Sequence, residues 1–175
     1  GTDLELWISP EDEGLANGFI QRHALEKFAI MHPGGSTVKE RGLSVEGFIG
    51  LGKEIKKSFG LDCIAMGGVE EEEKIKRICS SDGNVFHDAS GLPLLVSAQL
   101  IKHAAVFIGN DSGPSHIADA LGTPGIIFYF ESGEKLKQHL TKWKPRGDNY
   151  ISVELSGSDD EIIRKSLTEI VRLIK

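Results

Sequence analysis

Short apolar runs alternate with amphipathic stretches along most of the chain. Leu4 to Ile8 reads as an entry strand or extended segment. Ser9 followed by Pro10 has the form of an N-cap with proline at the first helical position, which predicts a helix to about His23 with Leu15, Phe19 and Ile20 facing inward. Phe28–Met31 is a buried-strand run that leads into His32-Pro33-Gly34-Gly35-Ser36. Ser44 then caps a helix with Phe48, Leu51, Ile55 and Phe59 on one face. Asp62–Met66 is the next strand, followed by Gly67-Gly68 and an acidic helix from Glu70 to about Cys79. A weak strand is placed at Asn84–Phe86 and a helix at Pro93–His103. Ala105–Ile108 is a strand that enters Gly109-Asn110-Asp111-Ser112-Gly113-Pro114 and a helix to Leu121, closed by Gly122 and Pro124. Gly125–Phe130 and Tyr150–Val153 complete the strands. Ser158 with Glu161 forms a capping box for a last helix that places Ile163, Leu167, Ile170 and Ile174 on its apolar face.

Strands that alternate with helices, and that are short and apolar throughout, specify a parallel sheet covered on both faces: an α/β, Rossmann-like, doubly wound fold. Such sheets take ligands beyond the carboxyl ends of their strands. Composition sharpens this picture at one point. Glycine supplies 21 of 175 residues, above an average share of about 7%. Gly34, Gly35, Gly67, Gly68, Gly109 and Gly113 fall at strand-to-helix junctions, where backbone N–H groups can approach an anion. The length of 175 residues fits one domain, 1–175. A formal net charge of −6 argues against nucleic acid as a partner. No apolar run approaches the roughly 20 residues of a transmembrane segment. Cys63 and Cys79 have no metal or redox spacing and read as reduced thiols in a cytoplasmic chain.

Several motifs fail on their chemistry. Gly47 to Lys53 has P-loop spacing, but Glu54 follows where Ser or Thr must hold Mg²⁺, and the segment is helical in period. Why Gly47, Gly50 and Gly52 fall within a helix is open at this level. No dinucleotide fingerprint follows the first strand. In Gly109-Asn110-Asp111-Ser112-Gly113 the serine stands one place late for a nucleophile elbow, so Asp111, Ser112 and His116 match a hydrolytic triad in composition alone. The six histidines lack metal-ligand spacing, so no metal is expected; with the dinucleotide fingerprint missing, NAD is disfavoured, and no cofactor is expected. His23 and His139 read as surface residues, whereas His32 and His116 flank glycine loops. Lys39 and Arg41 follow the first loop as candidate phosphate cations. The run Glu70–Glu73 suits a helix N-terminus, and one of its acids is a candidate for a ribose hydroxyl.

At Asp111-Ser112-Gly113-Pro114-Ser115-His116-Ile117-Ala118, and on through Ala120-Leu121-Gly122-Thr123-Pro124, the chain resembles the heptosyltransferases, glycosyltransferase family 9. His32-Pro33-Gly34-Gly35-Ser36, Met66-Gly67-Gly68-Val69-Glu70, and Trp143 with Pro145 agree with that family's other loops in the same order. The resemblance implies the C-terminal half of a GT-B fold, binding a sugar nucleotide such as ADP-heptose for inverting, metal-independent transfer of heptose to the lipopolysaccharide inner core. It implies that Arg41, and secondarily Lys39, hold the donor phosphates. Glu70 would hold the ribose, and Asp111, Ser112, Gly113 and His116 would cradle the diphosphate and sugar, with His32, Gly34, Gly35, Ser36, Gly67, Gly68 and Pro114 lining the same donor site.

Two departures stand out: Arg41-Gly42-Leu43 replaces the family's lysine-and-tryptophan pattern, and Glu131-Ser132-Gly133 replaces a glycine-proline turn. The acceptor-binding N-terminal domain, with the general base, is expected outside this chain, so no catalytic residue is assigned within it. The full-length enzyme would be cytoplasmic, with peripheral contact at the inner membrane. The alternatives are a stand-alone nucleotide-binding module without transferase activity and a hydrolase using Ser112 and His116.

Overall fold

The computed structural model describes residues 8–35, 42–143 and 149–174, with the backbone alone at Trp143. Ser36, Lys39, Arg41, Pro145 and most of the expected entry strand at Leu4–Ile8 lie outside the described residues. Six parallel strands form one sheet in the order β3-β2-β1-β4-β5-β6. They are β1 (Phe28–His32), β2 (Asp62–Gly67), β3 (Phe86–Ser90), β4 (Val106–Asn110), β5 (Gly125–Tyr129) and β6 (Tyr150–Glu154). In the central register Ile30 stands opposite Ile64 on one side and Phe107 on the other. The strand order reverses between β1 and β4, so the crevice of this doubly wound sheet opens where those two strands end.

Alternation along the strands divides the core in two. Ala29, Met31, Cys63, Ala65, Ile108 and Phe128 face α2 (Val45–Phe59), α3 (Glu72–Ser81) and α7 (Asp159–Leu173), where Phe48, Leu51, Ile75 and Ile170 cover them. Phe28, Ile30, Ile64, Met66 and Phe107 face α1 (Pro10–Arg22), α4 (Leu94–His103) and α5 (Gly113–Ala120), under Phe19, Leu100, Ile101 and Ala118. The Ser9, Ser44 and Ser158 caps form as their sequence signatures require, each hydroxyl accepting from an N–H of the first turn.

Packing accounts for Gly52 of α2 and leaves little room at Gly47 and Gly50. A Cβ on Gly52 would collide with the Phe86 ring and lie 3.3 Å from Met31. On Gly47 it would lie 2.5 Å from Leu43 and 3.2 Å from Asp159, and on Gly50 2.8 Å from the end of Ile163. The helix therefore sits close against both the sheet and α7, and Ser44 Oγ joins the two helix starts by donating to Asp159 Oδ2 at 2.5 Å. The P-loop spacing of Gly47–Lys53 is thus a packing pattern.

Other expectations need correcting. Leu15 is 54% exposed, and Ala16 takes the buried position on α1. Asn84 belongs to a turn whose N–H donates to Asp82 Oδ1 at 3.0 Å, so β3 starts later, at Phe86. That edge strand carries polar His87, Asp88 and Ser90, which hid it from a hydrophobic reading. Gly109 lies within β4, not after it. A helix absent from the sequence reading, α6 (Gly133–Trp143), follows β5 and packs Leu136 and Leu140 on Ile127 and Tyr129.

Candidate functional site

Because all six strands are parallel, every strand-end loop opens at one edge. Three of the predicted loops meet there. The first leaves β1 at His32. A Cβ on Gly34 would lie 2.6 Å from Glu71 Oε1, and one on Gly35 would lie 2.8 Å from the Asp111 carbonyl and 3.1 Å from Ser112 Cβ. Gly35 also has φ +132, a conformation that favours glycine. The glycine pair therefore lets the β1 loop wedge between the β2 and β4 loops.

Two anchors escaped the sequence reading. Asn110, 4% exposed at the end of β4, holds both stems of the β1 loop. Its Oδ1 accepts from the Leu43 N–H at 3.0 Å, and its Nδ2 donates to the Pro33 carbonyl at 3.2 Å. Ser36, Lys39 and Arg41 lie in the sequence between those stems. The signal was a polar residue ending an otherwise apolar strand. The second anchor is Glu71. The predicted Glu70 is exposed on a 3₁₀ turn, Val69–Glu71. Glu71 folds back, accepts from the Gly68 N–H at 2.9 Å and fills the space beside Gly34 and Gly67. Its spacing three residues after Gly68 is that of a helix-start cap.

The Asp111–His116 stretch forms the β4-to-α5 junction at the crevice. Ser112 is the N-cap of α5, and Pro114 lies in its first turn. Ser115, fully buried, donates from Oγ to the Ser112 carbonyl at 2.7 Å and ties down the turn. Helix starts carry backbone N–H groups without intrahelical partners and a partial positive charge. Gly113 stands there with open space where a Cβ would go. Ser112 Oγ donates to the Asn110 carbonyl at 3.0 Å rather than to an imidazole, and His116 is half-buried one turn into the helix. That arrangement does not activate Ser112 as a nucleophile. Neither cysteine is an activated nucleophile, because burial raises the Cys63 thiol and pushes Cys79 up to about 12.

The histidines divide differently from expectation. His139 is not a surface residue: only about a quarter of its side chain is exposed, and its Nε2 lies 2.7 Å from Asp111 Oδ2. The Leu136, His139, Leu140 spacing of an amphipathic helix could have placed it facing β5. His23 is half-buried against Phe19 and His87. His32 is 5% exposed, and its Nδ1–H donates to the Met66 carbonyl at 3.0 Å. Burial is the main cause that lowers its pKa below the ordinary 6.5, against the raising effects of the Met66 bond and Glu71. His23 is lowered as well, by burial and by His87.

A histidine lowered on folding binds fewer protons than in the unfolded chain, so its contribution to stability is complete above the unfolded pKa and falls with pH below it. Stability is therefore expected to fall as pH drops through about 6.5, and chemical denaturation at stepwise pH measures it. His32→Asn keeps a donor for Met66 and should remove part of that slope. An unchanged slope would show that His32 titrates alike in both states.

Among the described residues no group of three or more His, Cys, Asp or Glu side chains could hold a metal ion. No described helix is long and apolar enough to cross a membrane.

A family model described as Glycosyltransferase family 9 (heptosyltransferase) matches residues 26–161. No curated protein sequence matches significantly. Among solved structures, a glycosyl transferase family 9 protein from Veillonella parvula superposes with TM-score 0.81 at 20% identity, over 98% of this chain and 55% of that one. The E. coli ADP-heptose lipopolysaccharide heptosyltransferase II gives 0.76 at 14% identity, over 96% and 54%. E. coli heptosyltransferase WaaC, solved with ADP-2-deoxy-2-fluoro heptose, gives 0.66 at 21% identity, over 89% and 47%. The chain thus spans about half the length of these structures, and the shared fold is a Rossmann-like unit of the GT-B architecture.

Proposed function

Since the chain belongs to glycosyltransferase family 9, we propose that residues 1–175 form the sugar-nucleotide domain of an inverting, metal-independent transferase that moves heptose from ADP-heptose to the inner core of lipopolysaccharide. The observation that carries this reading is the start of α5 at the strand-order reversal, with open space at Gly113. A diphosphate placed there would meet backbone N–H groups and the positive end of the helix. Arg41 and Lys39, on the loop whose stems Asn110 holds, would supply the balancing cations in place of a metal. Glu70 would take a ribose hydroxyl beside Gly67 and Gly68. Asp111, Ser112, Pro114 and His116 would face the diphosphate and sugar, and His32, Gly34, Gly35 and Ser36 would shape the adjoining wall.

In the transfer, the acceptor hydroxyl attacks the anomeric carbon from the face opposite the diphosphate. The bond from that carbon to the phosphate oxygen breaks, and the nucleoside diphosphate leaves with the electron pair. The hydroxyl proton passes to a base that we assign to an acceptor-binding domain outside this chain. The residues of this chain bind the donor and stabilise the leaving charge. The enzyme would act in the cytoplasm, peripheral to the inner membrane, without nucleic acid and without a cofactor.

Gly113→Val tests the site directly. Among the described residues nothing lies within 4 Å of the added Cβ, so stability should stay within about 0.5 kcal/mol. Binding of ADP, followed by calorimetry, should weaken at least tenfold as the side chain enters the space of the diphosphate. Unchanged affinity would place the nucleotide elsewhere.

A further inference from the structure

Asp111 poses an electrostatic problem for the proposed site. Its carboxylate stands beside the start of α5, where a diphosphate is to bind, and a bare negative charge there would oppose the ligand. The structure places a partner on it from a separate element. A carboxylate can only accept, so the His139 imidazole donates from Nε2 to Asp111 Oδ2 at 2.7 Å. The imidazole is itself held: its ring meets the buried Tyr129 ring edge-on, with centroids 5.6 Å apart. Leu136 and Leu140, on the same stripe of α6, pack against Ile127 and Tyr129. With one acceptor site of Oδ2 taken by the imidazole, Oδ1 keeps its full capacity to accept from a ligand hydroxyl.

We infer that His139 is a positioning residue: it holds Asp111 in one orientation and directs it to read a hydroxyl of the donor's sugar rather than the phosphates. The inference rests on the proposed function and adds to it a residue from α6 and a specific task. Acting through Asp111, His139 should matter for a sugar nucleotide and little for the nucleoside diphosphate alone. A purely structural role would move both affinities together.

The test is calorimetric titration of the chain with ADP and with ADP-L-glycero-D-manno-heptose. His139→Leu should weaken ADP-heptose binding about tenfold and leave ADP within twofold. His139→Gln, whose amide nitrogen reaches the position of Nε2, should recover most of the loss. In an Asp111→Asn background, His139→Leu should add less than twofold to the loss of ADP-heptose affinity. Equal losses for both ligands, no loss for either, or full additivity with Asp111→Asn would overturn the inference while leaving the nucleotide site in place. If His139→Leu fails to fold, His139→Gln and Asp111→Asn still decide it, because full ADP-heptose affinity in Asp111→Asn would remove the carboxylate from sugar reading. Failure of the unaltered chain to bind either ligand would instead overturn the functional reading, and this inference with it.

Discussion

Asn110→Ala is expected to lower stability by about 2–5 kcal/mol, the cost of leaving two buried backbone partners unpaired, and to weaken nucleotide binding more than tenfold. One amide group satisfies the Pro33 carbonyl and the Leu43 N–H at once. Both lie at the strand-order reversal, where water has little access to replace the lost group, since Pro33 and Leu43 are buried. Truncation also removes the surface on which Gly42 rests. A Cβ there would lie 2.5 Å from Asn110 Nδ2, and Gly42 has φ +153. The effect on binding follows from chain connectivity: the stems that Asn110 holds flank, in sequence, the segment 36–41 that carries the proposed donor contacts Ser36, Lys39 and Arg41. Urea denaturation measures the first effect and calorimetry with ADP the second. A loss below about 1 kcal/mol with unchanged affinity would mean that the stems hold themselves without the amide.

Gly52→Leu should cost about 3 kcal/mol, at the upper end of ordinary overpacking. At 2–4 °C per kcal/mol for a chain of this size, that is a fall in Tm of about 6–12 °C. The first added carbon already meets the Phe86 ring, which is 3% exposed and fixed in β3. A ring edge in a packed core cannot step aside as a chain end can. The gain in helix propensity of about 1 kcal/mol on leaving glycine does not offset this. Gly50→Ala is the control. Its Cβ meets only the terminal methyl of Ile163, which can rotate, so the propensity gain should leave the variant as stable as the parent or slightly more so. Thermal denaturation of the pair checks both signs. Equal losses in the two would refute close contact between α2 and the sheet.

These glycines show where sequence reading stops. Periodicity located α2, through Phe48, Leu51 and Ile55, but it registers which residues are apolar and not how near the next element comes. The distance between helix and sheet is a tertiary quantity, and it alone explains Gly52. Apolar runs likewise located five of the six strands well. They misplaced β3 because an edge strand needs no continuous apolar run, and they passed over α6 because its inward stripe is narrow and interrupted by His139. At the site, the glycine loops were legible because a backbone that approaches another closely requires glycine, and three such loops at successive strand ends converge in any parallel sheet. The side chains that join the loops were not legible. Asn110, Glu71 and His139 act across 67, 37 and 28 positions of sequence, on Leu43, Gly34 and Asp111 respectively, and no local pattern encodes such partners.

In the proposed function, the crevice between β1 and β4 holds a sugar nucleotide through the start of α5. Thermal denaturation of the unaltered chain with ADP-L-glycero-D-manno-heptose at a hundredfold excess over its Kd tests it most directly, with the Kd taken from calorimetry. A ligand that binds only the folded state should then stabilise by about 2.7 kcal/mol, a rise in Tm of about 5–10 °C, and Gly113→Val, at tenfold or weaker affinity, should cut the rise to about half or less at the same ligand concentration. A flat Tm, with no heat of binding for ADP-heptose or ADP, would contradict the account.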